Sequence, residues 1–392
     1  MENKINYQSE LFGNRLRKKY KELRKWARKN RISCYRIYDR DIPEIPVSID
    51  LYEFLPVEID NPLDAARFLS EQNNRLSAND PSVDKEIKER TYAVIYLYER
   101  PYEKSDDEEE IWLNAMAQSA AQVLNIDITH IIKKMRKHQK GKTQYEKETS
   151  DKDSSEELLN NYIPYEYVQE CGQLFRINLN SYLDNGLFFD HRPLRNVIRD
   201  TCSNKSVLNL FCYTGSFSVY AASGNAKSVE SVDLSNTYLT WAKENMEKNE
   251  FTDKTKYLFT RADCIAFLQE KAVAQKAVIA GNNSEAKSKA KTYDLIILDP
   301  PTFSNSKNTY NVLDINKDWS QLVKDCLNIL NPGGILYFST NSERLKFDRS
   351  LLPQATISGC TITVDDITAE TIPNDYSGSK PHRCWKFQIG KI

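Results

Sequence analysis

The sequence predicts an α/β protein in which a doubly wound parallel sheet follows a smaller α+β domain. From about residue 186, buried β-rich stretches alternate with stretches of helical periodicity, which is the pattern of βαβ units. We expect strands at 206–211, 228–233, 255–260, 293–299 and 334–340, and helices at 193–201, 216–223, 236–249, 264–273 and 316–330. A chain of 392 residues is long enough for two domains, and we place the boundary between residues 185 and 186.

The first 185 residues mix helical and strand patterns, which predicts the α+β domain. Apolar residues recur at three- or four-residue spacing over 11–31, as in an amphipathic helix. β-branched and aromatic residues fill 33–59, where Pro43 and Pro46 divide the stretch into two strands. Further helices are expected at 62–76 and 108–125, and further strands at 91–99, 164–169 and 173–178. The polar segments 60–90, 146–160 and 274–292 are interpreted as insertions.

Basic residues are concentrated in two segments of the first domain, although the formal net charge is only −1. Ten Lys/Arg residues lie between Arg15 and Arg31 beside one acid, Glu22, and six lie between Lys133 and Lys142 with none. A basic face is usually solvated surface, but cations this dense repel one another unless a polyanion is near. We therefore predict a nucleic-acid contact surface formed by Arg15, Arg17, Lys18, Arg24, Arg28, Lys134, Arg136, Lys137, Lys140 and Lys142.

The composition, 40% apolar and 28% charged, is typical of a soluble globular protein. No apolar run approaches the ~18 residues of a membrane span, and the first residues lack the apolar core of a secretory leader. The eight cysteines occur singly, without a Cys-x-x-Cys pair, and only four histidines accompany them. We therefore expect a cytoplasmic protein with no disulfide framework, no metal and no membrane partner.

The stretch from Tyr293 to Phe303 carries the most specific chemistry in the chain. A buried strand runs directly into Asp299, Pro300 and Pro301, and Phe303 follows. Ligands of parallel sheets bind at the carboxyl ends of the strands, and the two prolines fix the backbone there. An acid and an aromatic ring at this place suit a nucleic-acid base, with the acid at the base edge and the ring stacked on it. We predict Asp299, Pro300, Pro301 and Phe303 as catalytic residues; the alternative is a turn that only ends the strand.

A second group of residues follows the first three strands of the sheet and suits a cofactor. Gly215 allows a ligand to approach the backbone, but the Gly-x-Gly-x-x-Gly pattern that binds a pyrophosphate is absent. This argues against NAD or FAD and suits S-adenosylmethionine, which has no phosphate. Asp233 lies 18 residues beyond Gly215, at the position that binds ribose hydroxyls. Asp263 follows the third strand, where it contacts an adenine, caps the next helix, or does both.

Several segments resemble the RlmK family, which forms the C-terminal half of the bifunctional 23S rRNA methyltransferases RlmKL. The matching segments are 14–19, 25–29, 34–43, 136–145, 182–192, 208–216, 232–242 and 299–307, so the resemblance covers essentially the whole chain. The other half of those enzymes, RlmL with its own RNA-binding domain, has no counterpart here. The resemblance therefore implies a free-standing RlmK-like chain whose RNA contacts come from residues 1–185.

The resemblance implies a Rossmann-like class I methyltransferase domain at 186–392 that uses S-adenosyl-L-methionine. It implies that the partner is 23S rRNA, free or in an assembling large subunit, and that the product is 7-methylguanosine. By motif position it assigns cofactor binding to Asp190, His191, Arg192, Phe211, Tyr213, Gly215, Asp233, Leu234, Asp263 and Cys264.

Three other functions stay open on the sequence. A cytosine-C5 methyltransferase needs a cysteine nucleophile, but its expected place at the end of the last central strand reads Ser339-Thr340-Asn341-Ser342. An N6-adenine enzyme favours Asp-Pro-Pro-Tyr, whereas here Thr302 follows the prolines. An RNA-binding ribosome-assembly factor would have no use for Asp233 or Asp299.

Guanine N7 has a lone pair and no proton, so its methylation requires alignment rather than a general base.

Overall fold

The computed structural model describes residues 2–99, 105–136, 163–180, 185–281, 284–305, 312–356 and 359–391. The chain divides into two compact units, one of Met1–Phe189 with Asn374–Ser379, the other of Asp190–Pro373 with Lys380–Ile392. The division falls four residues later than predicted, after Phe189 instead of after residue 185. The segment Asn374–Ser379 belongs to the first unit because Asp375 accepts a hydrogen bond from the Arg36 backbone N–H and Tyr376 lies under the Arg36 guanidinium.

The first unit contains four helices and six strands among its described residues. The helices are α1 (Glu2–Lys29), α2 (Pro62–Ser77), α3 (Pro81–Glu89) and α4 (Asp106–Leu124). The strands are β1 (Cys34–Asp39), β2 (Val47–Glu53), β3 (Thr91–Tyr98), β4 (Ile131–Arg136), β5 (Tyr167–Glu170) and β6 (Gln173–Arg176). The first four strands form a sheet in the order β1-β2-β3-β4, in which only the β3–β4 pair is parallel, and β5 and β6 form a separate hairpin.

Helix α1 is longer than the predicted helix over 11–31, because it begins near residue 2. Its buried residues Phe12, Leu16 and Leu23 share a core with residues of α4 and of the sheet. The added first turns are held by Gln8, whose side-chain oxygen accepts a hydrogen bond of 2.9 Å from the buried Trp112 indole N–H. One face of α1 is therefore core, and only the opposite face is available to a partner.

The second unit is built around a seven-stranded sheet. Its helices are α5 (Arg192–Thr201), α6 (Ser216–Ser223), α7 (Asn236–Lys248), α8 (Cys264–Ile279), α9 (Ser284–Lys289), α10 (Ile315–Asn328) and α11 (Thr368–Thr371). Its strands are β7 (Ser206–Leu210), β8 (Ser228–Asp233), β9 (Tyr257–Arg261), β10 (Tyr293–Leu298), β11 (Phe303–Ser304), β12 (Leu313–Asp314), β13 (Leu330–Thr340), β14 (Ile362–Asp366) and β15 (Arg383–Ile389).

The strand order in this sheet is β14-β15-β13-β10-β7-β8-β9. The five strands from β13 to β9 are parallel to one another, as predicted. The sheet also contains two strands beyond the five predicted ones, and β15 is antiparallel to both β13 and β14. The sequence pattern ended at Thr340 and did not identify these last two strands.

The segments interpreted as insertions contain more helix than predicted. Helix α8 continues to Ile279 and α9 follows within 274–292, while 60–90 forms α2 and α3 with Asn61 and Asp80 as N-caps. The third segment, 146–160, lies outside the described residues. Within the described ranges, no helix is both long and apolar enough to cross a membrane.

Candidate active site at the carboxyl ends of the central strands

The predicted site residues follow two neighbouring parallel strands of the second unit. Strands β7 and β10 are hydrogen-bonded neighbours, and the chain leaves β7 toward β8 on one side and β10 toward β13 on the other. A sheet binds ligands at such a reversal of strand order, outside the carboxyl ends of the strands. The segment Phe211–Gly215 follows β7 and Asp299 follows β10 at this place.

Asp299 is held by two contacts to the same carboxylate oxygen. The Ser339 hydroxyl donates a 2.5 Å hydrogen bond to Oδ1, and His191 Nε2 lies 3.5 Å from that atom. Burial opposes the charge, but the neighbouring His191 and the Ser339 hydroxyl lower the pKa of Asp299 below its ordinary value. The side chain is 26% exposed. Asp299 is therefore an ionised carboxylate that is held through Oδ1, and lone pairs of its Oδ2 can accept further hydrogen bonds.

His191 lies between two carboxylates. Its Nδ1 is 3.2 Å from Asp190 Oδ2 and its Nε2 faces Asp299, while its ring stacks on His382 with centroids 4.3 Å apart. Burial would lower the pKa of His191, but Asp190 and Asp299 raise it to about 10. Asp190 is also ionised, since the two histidines outweigh its burial and lower its pKa well below the ordinary value. The cluster therefore holds an imidazolium at neutral pH.

Asp190, His191 and His382 are also the group whose donor atoms, among the described residues, lie close enough together to hold a metal ion. A metal ion bonds an imidazole nitrogen along its lone pair, in the plane of the ring. The two rings are stacked with an interplanar angle of 18°, so one ion cannot lie in both ring planes. The arrangement therefore fits a cluster of ion pairs and hydrogen bonds better than a metal centre.

The ring of Phe303 is exposed at the surface. It is 43% exposed and lies on β11, which pairs with β12. Pro300 is buried and Pro301 half-buried, so the backbone between the acid and the ring is stiff. The Thr302 hydroxyl also bonds to Asn341 Oδ1 at 2.5 Å, beyond the end of β13. The predicted substrate corner is thus rigid, with an exposed ring.

The segment after β7 has an unusual backbone. Phe211, Tyr213 and Gly215 all adopt positive φ angles of 54°, 51° and 75°. A Cβ at Gly215 would lie 2.8 Å from Ala242 Cβ, so no larger residue fits. The Phe211 N–H bonds to Cys264 Sγ and the Tyr213 N–H to Asp233, which fixes the loop against the next two strands. A closely approached, phosphate-free ligand such as S-adenosylmethionine fits this loop.

Asp233 ends β8 and bonds to backbone on both sides. Its Oδ2 accepts from the Tyr213 N–H at 3.0 Å and its Oδ1 from the Ser235 N–H at 2.8 Å. Burial raises the pKa of this carboxyl, and the backbone donors only partly oppose that effect. Each oxygen retains a lone pair that can accept a ribose hydroxyl.

We predict that Asp233→Ala weakens binding of S-adenosylhomocysteine by roughly tenfold or more, which is the loss expected for one hydrogen bond to a charged group. Titration calorimetry measures it. Asp233→Asn is the matched control: it preserves the side-chain volume but makes one acceptor oxygen a donor. An affinity unchanged in the alanine variant would remove Asp233 from the cofactor site.

The remaining predicted cofactor residues differ in what their side chains can do. Asp263 caps α8, since its Oδ1 accepts from the Ile265 N–H at 2.9 Å, so the capping role is present whether or not it meets an adenine. The Cys264 side chain is in the core, where it bonds to Phe211 and to the Val232 carbonyl. A contact of Cys264 with the cofactor is therefore limited to its backbone. Leu234 is half-buried, and Arg192 is almost fully buried at the start of α5.

The predicted RNA contacts on α1 fall into two groups within the first unit. Arg15 forms a 2.6 Å ion pair with Asp41 and Arg24 a 3.3 Å ion pair with Asp84, while Arg28 lies beside the half-buried Glu53. These charges are partly neutralised inside the unit. The exposed cations of α1 from residue 11 onward are Arg17, Lys18, Lys21, Lys25 and Lys29.

The prediction for Lys134 is wrong. Residues 131–136 form β4 instead of a basic loop, and strand alternation turns Lys134 inward. It is 4% exposed and donates a 2.7 Å hydrogen bond to the Asn185 side chain. Lys134 is therefore a structural cation. Arg136 lies on the same strand, and Lys137, Lys140 and Lys142 fall outside the described residues.

Cys384, a cysteine near Asp299, does not suit nucleophilic catalysis. Cys384 on β15 is the register partner of Ser339. It is fully buried in an apolar cluster, and burial together with the Asp299 charge raises the pKa of its thiol well above the ordinary value. A neutral, enclosed thiol is a poor nucleophile, which disfavours cytosine-C5 chemistry at this site.

Sequence reasoning missed three members of the site. Ser339 was noted only because it is not cysteine, and His382 and Thr371 were not considered. His382 precedes the antiparallel strand β15, whose place in the sheet the periodicity did not indicate. The sequence did offer one signal for His382. The chain has only four histidines, and this one directly precedes the β-rich stretch that forms β15.

Comparison with known proteins identifies the family of this chain. Residues 130–357 match the model of the S-adenosylmethionine-dependent methyltransferase family. This chain belongs to that family. Its cofactor is accordingly S-adenosylmethionine, in agreement with the residues after β7 and β8.

Curated members of the family are similar over nearly the whole chain. Ribosomal RNA large subunit methyltransferase K of Neisseria meningitidis is 35% identical over 377 residues, 96% of this chain and 86% of the relative. The methyltransferases K/L of Magnetococcus marinus and Hahella chejuensis are 34% and 37% identical, covering 96% and 97% of this chain but 43% of each relative. The chain thus spans less than half the length of the K/L methyltransferases and most of the length of the K form.

Two solved structures of methyltransferases share the fold. The structure of SMU.776 complexed with SAH superimposes with a TM-score of 0.62 over 97% of this chain and 82% of its own. A SAM-dependent methyltransferase from Streptococcus mutans gives 0.60, with 97% and 81% coverage. Both are 19% identical to this chain, so they support the fold alone.

Proposed function

We propose that this chain methylates 23S rRNA at the N7 atom of a guanine, using S-adenosylmethionine. The observation that carries the proposal is the corner after β10, where Asp299 is held through Oδ1 beside the exposed ring of Phe303. The similarity to ribosomal RNA large subunit methyltransferases K and K/L supports RNA as the substrate. Neither the corner nor the name of a relative specifies the N7 atom, which rests on the resemblance described above.

The proposed reaction requires positioning and charge stabilisation. S-adenosylmethionine would supply a methyl group from its sulfonium. The lone pair of guanine N7 would form the new N–C bond as the C–S bond breaks, which leaves S-adenosylhomocysteine and a positively charged purine, and no proton has to be removed. Phe303 would stack on the base, an interaction worth about 1–3 kcal/mol. Asp299 would accept a base-edge donor through Oδ2 and stabilise the positive charge that develops on the purine. His191, whose Nε2 lies 3.5 Å from Oδ1, lowers the pKa of this carboxyl and so favours its ionised form.

The target guanine should be unpaired or locally opened. In A-form RNA the N7 atom lies in a deep, narrow groove that side chains do not enter. Opening a pair costs a few kcal/mol, and phosphate contacts elsewhere can offset that cost. The first unit would supply these contacts, acting as the RNA-binding domain.

The exposed lysines of α1 give this proposal a specific surface. Lys18, Lys21, Lys25 and Lys29 recur at three- or four-residue spacing and therefore line one helix face over about 17 Å. Among the described residues none of the four has an acidic partner within ion-pair distance, although the exposed Glu22 lies on the same face. We call these four residues the lysine strip.

We predict that changing the four lysines of the strip to alanine weakens 23S rRNA binding and lowers its salt dependence. Each lost phosphate contact should reduce the slope of log K against log salt by about 0.7–0.9. Filter binding between 50 and 200 mM salt measures both quantities. The control changes four exposed lysines of the second unit to alanine. They precede strands β8, β9 and β10, whereas the candidate active site follows the strands, and they are Lys227, Lys254, Lys287 and Lys289. Equal slopes in the two quadruple variants would mean that the strip is only solvated surface.

A direct assay tests the reaction itself. Unmethylated 23S rRNA is incubated with the protein and methyl-labelled cofactor, digested to nucleosides and separated. The proposal requires label in 7-methylguanosine. Label in 5-methylcytidine or N6-methyladenosine would contradict the assignment to guanine N7.

A further inference from the structure

A row of buried polar contacts connects Asp299 to the C-terminal part of the second unit. The first contact joins Asp299 Oδ1 to His191 Nε2. On the other side of the ring, His191 Nδ1 lies 3.2 Å from Asp190 Oδ2. The same Asp190 oxygen lies 2.9 Å from His382 Nδ1, and His382 Nε2 lies 2.9 Å from the Thr371 hydroxyl. The row brings together residues from before α5, from α11 and from the start of β15.

The row has almost no contact with solvent beyond Asp299. His382 is 1% exposed and Thr371 0%, while His191 and Asp190 are 6% and 9% exposed. Burying polar groups costs free energy unless each has a partner. His382 and Thr371 each make two hydrogen bonds, whereas the two ring nitrogens of His191 face Asp190 and Asp299 at ion-pair distance without a hydrogen bond. Because an ionised carboxylate only accepts hydrogen bonds, His382 Nδ1 is the donor to Asp190.

The donor from His382 determines where the Asp190 carboxylate lies. Asp190 Oδ2 is the oxygen that also faces His191, so a carboxylate released by His382 could turn away from the imidazolium. The His382 ring also stacks on the His191 ring, and Phe217 packs edge-on against the His191 ring with centroids 5.7 Å apart. These contacts restrict the plane of the His191 ring, whose Nε2 faces Asp299 in the structure.

We propose that His382 is a positioning residue for methyl transfer, acting through Asp190 and His191 to hold the Asp299 carboxylate in place. This inference rests on the proposed catalytic role of Asp299. Among the described residues, His382 makes its hydrogen bonds to Asp190 and Thr371 and its ring contact to His191, and none to the substrate motif or to the loop after β7. Its replacement would therefore act through Asp190 and His191.

The charged and titratable groups around Asp299 limit what a pH profile can report. They are His191 and Asp190 before α5, His382 before β15, and Cys384 on β15. Burial raises the pKa of the Cys384 thiol well above its ordinary value, so Cys384 stays neutral in the working range. A shift of the acid limb of the rate profile therefore does not come from the Cys384 thiol.

The experiment compares His382→Phe with His382→Asn in the full-length protein. Phenylalanine keeps a flat ring for stacking but removes the donor, whereas the asparagine amide nitrogen can replace Nδ1. We expect His382→Phe to lower kcat by about 10- to 100-fold, the scale of a misplaced catalytic group, and to move the acid limb toward neutral pH. Asp190 and His191 are also predicted to bind the cofactor, so kcat is measured at saturating S-adenosylmethionine, where a weaker cofactor affinity cannot account for the loss. His382→Asn should recover most of the activity.

Titration of His191 by NMR gives a readout that does not depend on activity. The chain has only four histidines, so His191→Asn and His382→Phe assign the signals. His191 should titrate near pH 10 in the wild type and lower in His382→Phe. A wild-type His191 titration and a wild-type acid limb in His382→Phe would overturn the proposal, as would equal loss of activity in the two His382 variants. If the wild type methylated no RNA, the proposed function would fail while the NMR result still decided the positioning role.

Discussion

Asp299→Ala is expected to lower the rate of methyl transfer by about 10²–10³, equivalent to about 2.7–4 kcal/mol of transition-state stabilisation. The reason is that the Asp299 carboxylate is ionised and fixed by Ser339 and His191 before substrate arrives. Such a group stabilises the developing purine cation without reorganising. Single-turnover methylation of 23S rRNA measures the loss, and the affinity for S-adenosylhomocysteine should be unaffected.

Asp299→Asn is the matched control for this prediction, since it keeps the volume and removes the charge. A loss similar to that of the alanine variant would assign the effect to charge. Near-wild-type activity of the asparagine variant would assign it to orientation of the base. Wild-type activity of Asp299→Ala would leave the fold unchanged but reject the mechanism.

Replacing His191 by leucine is expected to destabilise the protein by about 3–5 kcal/mol at neutral pH, because Asp190 and Asp299 would lose the cation that they share. The effect should depend on pH. Since the folded-state pKa of His191 is raised to about 10, its charge stabilises the folded protein fully below the unfolded pKa of about 6.5. That contribution decreases as the pH rises toward 10.

The measurement is urea unfolding of the wild type and His191→Leu at pH 6.5, 8 and 10. The difference in unfolding free energy should be largest at pH 6.5 and smallest at pH 10. His130→Leu in the first unit is the control, because His130 bonds to the Thr91 carbonyl and stacks on Tyr92. A His191 effect that is constant over this range would show that the side chain contributes by packing alone.

The parts of the fold that depend on a short stretch of sequence were predictable. The strand before Asp299 and the loop at Gly215 are each contained in about ten residues, so apolar runs and turn residues indicate them directly. The alternation of strands and helices then places Gly215 and Asp299 at the same edge of the sheet, because parallel strands end on the same side.

The parts that depend on distant pairing were not predictable in this way. His382 meets Asp190 across 192 positions of sequence, and the contact exists because β15 pairs with β13 in the antiparallel sense. Lys134 was misjudged for a related reason. Its charge suggested a basic loop, but β-sheet pairing with β3 turns the residue inward.

The basic helix was only partly predictable, because charge counts do not show which cations have partners. Arg15 and Arg24 belong to the same run of charges as Lys18 and Lys25. The acids that pair with Arg15 and Arg24, Asp41 and Asp84, come from later parts of the chain. Only the three-dimensional arrangement separates the neutralised arginines from the exposed lysine strip.

The most direct test of the central claim is nucleoside mass spectrometry of 23S rRNA from a strain that lacks this protein. The account predicts that one 7-methylguanosine is lost, that it returns with the wild-type gene, and that it stays absent when Asp299→Ala is expressed instead. An unchanged 7-methylguanosine content in the deletion strain, or loss of 5-methylcytidine in its place, would contradict the account.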